Sequence, residues 1–162
     1  MRWNILRNTV IIILLILVVG LIGFKYKKDT NPIYSATVTG RSMVPTFNPD
    51  DKIRIDTEYY KKYSPEVDEF VAFNSPDTDV LTVKRVKGIY GDVIMIEERA
   101  IYINDILKVE GDIRIKPFFE LNTPHEIPID HIFVLGDNVS NSTDSRDFGF
   151  INNNQLIGRV IK

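Results

Sequence analysis

Cysteine is absent from the 162 residues. That absence excludes a disulfide framework, a thiolate metal site and a cysteine nucleophile together. Histidine is scarce, with only His125 and His131 present. No sustained helical stripe occurs after residue 33, which argues against a helical domain. Acidic residues are missing from residues 1–28, which carry Arg2, Arg7, Lys25, Lys27 and Lys28; this leaves 15 basic against 22 acidic residues in the remainder, net -7. A net acidic domain on a basic stem argues against nucleic acid as a partner.

What is present begins with an uncharged apolar run, "TVIIILLILVVGLIGF", from Thr9 to Phe24. Sixteen residues fall short of the ~20 that span a bilayer, but Trp3, Ile5, Leu6 and Tyr26 extend the run into both interfaces. A cleaved signal peptide is the competing reading. The run ends "GLIGFKYKKD", without a small-x-small site and with a lysine-rich stop, so an uncleaved membrane helix is expected. Basic residues flank it on both sides, and charge alone leaves its orientation open. The expected organisation is an anchor over 1–28, a linker over 29–33 and one domain over 34–162, long enough to bury a core of its own.

From Tyr34 onward, β-branched runs recur between turn signals: "YSATVTG", "DKIRIDT", "DEFVAF", "VLTVKRVKGI", "DVIMIEE", "AIYIND", "HIFVLGD" and "LIGRVIK". Eight short strands separated by Gly, Pro, Asn and Asp predict a mainly β domain of coiled antiparallel sheets. "EERAI" reads as a hairpin turn. Residues 107–128 read either as a strand pair or as an irregular excursion, with Phe118 and Phe119 assigned to the core and a membrane-dipping tip as the alternative.

Three polar stretches stand out. "TGRSMVPTF" places Ser42 directly after a strand. "LTVKRVKGIYGD" places Lys84 inside one, where alternation puts Thr82, Lys84 and Val86 on one face. "LGDNVSNSTDSRDFGFI" is dense in Asp, Asn and Ser around Arg146. Taken singly, each has an ordinary explanation: a turn-capping serine, an exposed strand lysine, a solvated or calcium-binding loop. Taken together they suggest nucleophilic catalysis. A serine hydroxyl needs a neighbour to take its proton. Spacing permits a Ser42, His131, Asp137 triad. It equally permits a lysine made neutral by burial, with Ser142 or Ser145 orienting it and an Asp144–Arg146 contact holding the loop.

These blocks resemble the bacterial type I signal peptidases, membrane-anchored serine-lysine proteases, in the compact Gram-positive-like form. "GRSMVPT" resembles their nucleophile box, "VDEFVAF" stands where they have a Gly-Asp strand, "VKRVKGIYGD" is similar to the lysine box and "GDNVSNSTDSRDFG" to the final box. The resemblance implies Ser42 as nucleophile and Lys84 as general base, with Ser142, Asp144, Ser145 and Arg146 in support. It implies an oxyanion donor in the Ser42 N–H, with Gly40 where some members supply a serine hydroxyl. Val38, Met43 and Val83 are implied to line pockets for small side chains at the third and first positions before the cut. The implied partners are secretory preproteins and membrane lipid, on the extracytoplasmic face, with no cofactor and no metal. Two other classes remain: a tethered binding module with an inert site, and a Ser-His-Asp hydrolase that would survive loss of Lys84. A self-cleaving repressor of related fold would need a DNA-binding domain, which residues 1–33 do not form.

Overall fold

The structure, a computed structural model, describes residues 12, 13, 16, 32–111 and 118–161. The expected anchor lies outside the described residues except for Ile12, Ile13 and Ile16, which are helical and exposed. Among the described residues no helix is long and apolar enough to cross a membrane. The β-rich unit begins at Pro32.

All eight expected strands form, together with three more. They are β1 (Ile33–Thr37), β2 (Lys52–Asp56), β3 (Phe70–Asn74), β4 (Leu81–Gly88), β5 (Val93–Ile96), β6 (Ala100–Ile103), β7 (Ile106–Glu110), β8 (His125–Glu126), β9 (His131–Leu135), β10 (Ile151–Asn152) and β11 (Leu156–Ile161). They make a seven-stranded sheet ordered β1-β2-β11-β3-β4-β9-β10 and a four-stranded sheet ordered β7-β6-β5-β8. Every pairing is antiparallel. The turn at "EERAI" is the β5–β6 hairpin, closed by Glu97 N–H donating to the Ala100 carbonyl.

Strand β9 explains how the two sheets share a core. It reads as an unbroken apolar run because both of its faces are covered. Phe133 and Leu135 join Ile94, Ile96, Ile101, Ile103, Phe119 and Ile127 beneath the small sheet. Ile132 and Val134 join Val71, Phe73, Val86 and Ile151 within the large one. A third cluster, Met43, Phe47, Ile53, Ile55, Ala72 and Val160, fills the curl of β1, β2, β3 and β11. At ~25 cal/mol per Å² of apolar area, these clusters are the main favourable term holding the sheets together.

The expectation for the aromatic pair needs correction. Phe119 is buried at 5% exposure, in contact with His125, Phe133 and Phe150, but Phe118 is 56% exposed. Phe118 instead lies against Gly149, whose absent Cβ would stand 2.3 Å from its ring. Residues 107–128 also resolve differently from either simple reading: β7 starts at Ile106 and runs into this stretch, β8 closes the small sheet, and residues 112–117 lie outside the described set.

Two strand edges are left open by this topology. β1 ends the large sheet, so one of its edges has no partner among the described residues. β4 pairs with β3 along Leu81–Arg85, but β9 covers its other side only from Arg85 onward. Residues 81–84 therefore keep one free edge.

Candidate active site

The two open edges face a common groove of 560 Å³, lined from one lip by residues 36–40, 42 and 43 and from the other by residues 80–84. Val38, Met43 and Val83 all line it, packed on the cluster formed by Ile53, Phe47 and their neighbours. Ser42 and Lys84 stand on the two lips, and Lys84 Nζ donates to Ser42 Oγ at 2.7 Å.

Alternation along β4 puts Lys84 on one face with Val86, as the sequence predicts, and the structure turns that face inward; their exposures are 2% and 0%. Lys84 sits opposite Val71, itself fully buried. Removal from water penalises the ammonium form. Burial lowers the Lys84 pKa from 10.5 to about 8, opposed by the carboxylate of Asp144 and aided by Arg146.

A turn holds the serine. The Asn138 N–H donates to the Ser42 carbonyl at 2.9 Å and Asn138 Nδ2 to the Arg41 carbonyl at 3.1 Å. The Val44–Pro45 peptide following it is cis. The Ser42 N–H itself meets no acceptor among the described residues. Gly40 is exposed, and a Cβ there would meet nothing within 4 Å.

The final polar stretch packs behind the pair. Asp144 and Arg146 are both fully buried and form a bidentate ion pair, with Nε to Oδ1 at 2.7 Å and Nη2 to Oδ2 at 2.8 Å. Asp144 also caps the short helix Ser145–Phe148 and accepts the Gly136 N–H at 3.0 Å. Arg146 Nη2 reaches the Val139 carbonyl at 2.8 Å. Ser145 Oγ accepts the Val134 N–H at 2.9 Å, so its hydroxyl is committed to the β9 backbone. Ser142 is buried, and its Oγ makes no hydrogen bond among the described residues.

Four residues that sequence reading did not single out as a bracing unit belong here. Arg85 grips Asp137 with two hydrogen bonds of 2.8 and 2.7 Å, and Thr46 Oγ1 donates to the same carboxylate. The Arg85 guanidinium also lies 4.2 Å from the Phe70 ring centroid. Burial would raise the Asp137 pKa, but the Arg85 and Thr46 hydrogen bonds prevail and hold it below the usual carboxylate range. Gly136 is the fourth: a Cβ there would stand 2.2 Å from Ser142 Oγ and 2.6 Å from the Ser42 carbonyl oxygen. Arg85 follows the lysine in sequence and points to the opposite side, so alternation already separated it from Lys84. Its partner lies 52 residues away, and no local pattern reveals that.

The histidines are engaged elsewhere. His131 Nδ1 lies 2.7 Å from the Ile129 carbonyl and Nε2 3.3 Å from Asn152 Nδ2. His125 stacks against Phe119. With Asp137 held by Arg85 and Thr46, the expected alternative triad is not assembled. Among the described residues no group of three or more His, Asp or Glu gathers where it could hold a metal ion.

The site thus sits in an antiparallel β domain in which a serine is hydrogen-bonded to a buried lysine. The family model for "Signal peptidase, peptidase S26" matches residues 3–162, and the chain belongs to this family. A Synechocystis protein named "Probable signal peptidase I-2" is 34% identical over 131 residues, covering 76% of this chain and 59% of its own length. Signal peptidase IB of Staphylococcus aureus strain COL is 31% identical over 147 residues, covering 76% and 73%. Thylakoidal processing peptidase 1, chloroplastic, of Arabidopsis thaliana is 26% identical over 136 residues, covering 77% and 40%. The chain thus spans less than two thirds of the Synechocystis and Arabidopsis proteins. A solved signal peptidase I from Enterococcus faecalis V583 aligns at 25% identity over 60% of this chain and 97% of its own, with a TM-score of 0.46.

Proposed function

We propose that the chain is a signal peptidase that cuts exported preproteins after a small-x-small site, with Ser42 as nucleophile and Lys84 as general base. The observation that carries this reading is the 2.7 Å hydrogen bond from buried Lys84 to Ser42 across a groove between two unpaired strand edges. An extended peptide adds to such edges through its main chain. The branched walls of Val38 and Val83 leave room for small side chains and reject bulk.

Neutral Lys84 accepts the Ser42 hydroxyl proton as Oγ attacks the scissile carbonyl. The resulting oxyanion is stabilised by the unengaged Ser42 N–H, a donor type whose loss costs ~2.7–4 kcal/mol of barrier. The lysine gives the proton to the leaving amine, which departs with the mature chain and leaves an acyl-serine. Lys84 then takes a proton from water as its oxygen adds to the ester, and returns that proton to Ser42 Oγ as the C–Oγ bond breaks; the product leaves as a carboxylic acid, which gives its proton to solvent. Neither Ser142 nor Ser145 hydrogen-bonds the lysine; Ser145 ties its loop to β9, Asp144 holds the Gly136 turn, and Asp144 and Arg146 act on Lys84 only through their charges. The apolar run at 9–24 anchors the enzyme in the cell membrane, with the β domain on the extracytoplasmic side facing lipid and preprotein.

The test is cleavage of a purified preprotein bearing Ala-x-Ala, in detergent, by wild type and three variants. Ser42→Ala and Lys84→Ala are each expected to lose on the order of 10⁴-fold or more in kcat, and His131→Ala to retain activity. Cleavage by Lys84→Ala would hand the reaction to a histidine hydrolase. An inert wild type would favour a binding module.

A further inference from the structure

The groove does not end at Val38 and Val83. A second cavity, of 780 Å³, shares Ala36, Thr37, Ile53 and Leu81 with it and continues along β1, away from Ser42. It is lined by the apolar Leu81 and Ile161 and the exposed Tyr34, together with Lys52 and Arg54 of β2. In the β1–β2 ladder these two stand opposite Thr37 and Ser35, so one face presents both cations beside two hydroxyls. Both cations are exposed. Ion pairs among the described residues engage Lys61, Arg85, Lys87, Arg146 and Arg159 instead. Asp77, on the opposite lip, is the only carboxylate lining either cavity among the described residues.

We propose that this second cavity is an upstream subsite for the substrate chain, where Lys52 and Arg54 select acidic over basic side chains. The proposal rests on the peptidase reading above. Continuity favours a peptide occupant: the cavity prolongs the same open edge of β1 that flanks the groove, so a strand seated beside Val38 runs directly into it. Tyr34 lies four residues before Val38. At about 3.3 Å per extended residue, the subsite meets the substrate roughly five to eight positions before the cut.

The experiment uses the full chain in detergent and synthetic peptides with an Ala-x-Ala site, carrying Glu, Gln or Lys singly at each position from four to nine before the cut. The readout is the Glu-to-Lys ratio of kcat/KM within each enzyme, which a partial loss of folded protein does not alter. Wild type is expected to show a ratio of roughly fivefold at one or two positions at low salt. The ratio should collapse at about 0.5 M salt, because the pairing is exposed. It should fall to about one in Lys52→Gln/Arg54→Gln, invert in Lys52→Glu/Arg54→Glu and persist in the distant control Lys61→Gln. A flat scan, or a preference that survives in the double variants, overturns the subsite. A flat scan with loss of binding to phosphatidylglycerol vesicles in the double variants would also overturn it, and would assign the two cations to a lipid headgroup surface. Failure of wild type to cut even the Gln peptides would sink the peptidase reading itself, a different result from a flat scan.

Discussion

Lys84 Nζ and Ser42 Oγ lie 2.7 Å apart, with the lysine at 2% exposure and the serine on the facing lip of the groove. The lysine thus meets its partner from inside the protein. It has lost most of the water that would keep it charged, and that loss sets the pH at which the pair can work.

The first prediction concerns rate. Lys84 accepts a proton only when neutral, and burial lowers its pKa to about 8. kcat/KM for an Ala-x-Ala peptide should therefore rise through an apparent pKa near 8 and level off above it. A profile controlled by a group titrating near 6.5, the ordinary histidine value, would contradict the assignment.

The same burial has a cost in stability. Between pH 8 and 10.5 the unfolded chain binds the Lys84 proton more tightly than the folded one, so this group adds stability as pH rises through that window. Below pH 8 the full penalty, roughly 3 kcal/mol, is present. Lys84→Met should raise the unfolding free energy at pH 7 by about 1–3 kcal/mol while abolishing cleavage, and the gain should shrink toward pH 10. Urea titrations at the two pH values measure it; a gain independent of pH would refute the account.

Gly136 is predicted to be intolerant of any side chain. The Cβ of Gly136→Ala would overlap Ser142 and the Ser42 carbonyl. The serine turn must shift, and a displacement on the order of 1 Å can cost ~10²-fold in rate. The variant should keep its β-sheet circular dichroism and lose kcat; wild-type kcat would show that the turn relaxes freely.

Breaking the buried pair should be worse than removing it. Arg146→Met leaves the Asp144 carboxylate unpaired at 0% exposure and should cost about 3–5 kcal/mol. Arg146→Met/Asp144→Asn should recover part of this. Denaturant midpoints of the three proteins decide, and a double variant no better than the single would show that the pair acts through its other contacts.

Alternation made eight strands legible in the sequence, and the face that Lys84 shares with Val86, though not that this face is buried. The three strands it left undecided or missed, β7 and β8 in the stretch open to a strand pair and β10 outside it, are those in which alternation has little to act on. β8 and β10 are two residues long, and β7 is an exposed edge strand with only Val109 half-buried. The Phe118–Phe119 pair was read as one unit; the two rings do meet edge to face at 5.0 Å, but only Phe119 is buried in the core while Phe118 covers it from the solvent side. At the site, Ser42 and Lys84 were legible from their boxes. The brace of Arg85, Asp137 and Thr46 was not, because its members lie 39 to 91 residues apart and meet only once β9 has been laid beside β4.

The groove divides the reacting pair between its two lips, serine on the side of β1 and lysine on β4. A strand laid between them works like the tongue of a buckle: it ties the two halves of the sheet through its own backbone and, in doing so, fixes the spacing of oxygen and nitrogen. Misfit is then felt mechanically before any bond is touched. On the proposed reading, a bulky substrate residue opposite Val38 or Val83 would push the lips apart and lengthen the very hydrogen bond between lysine and serine, so proofreading and proton transfer would depend on the same gap.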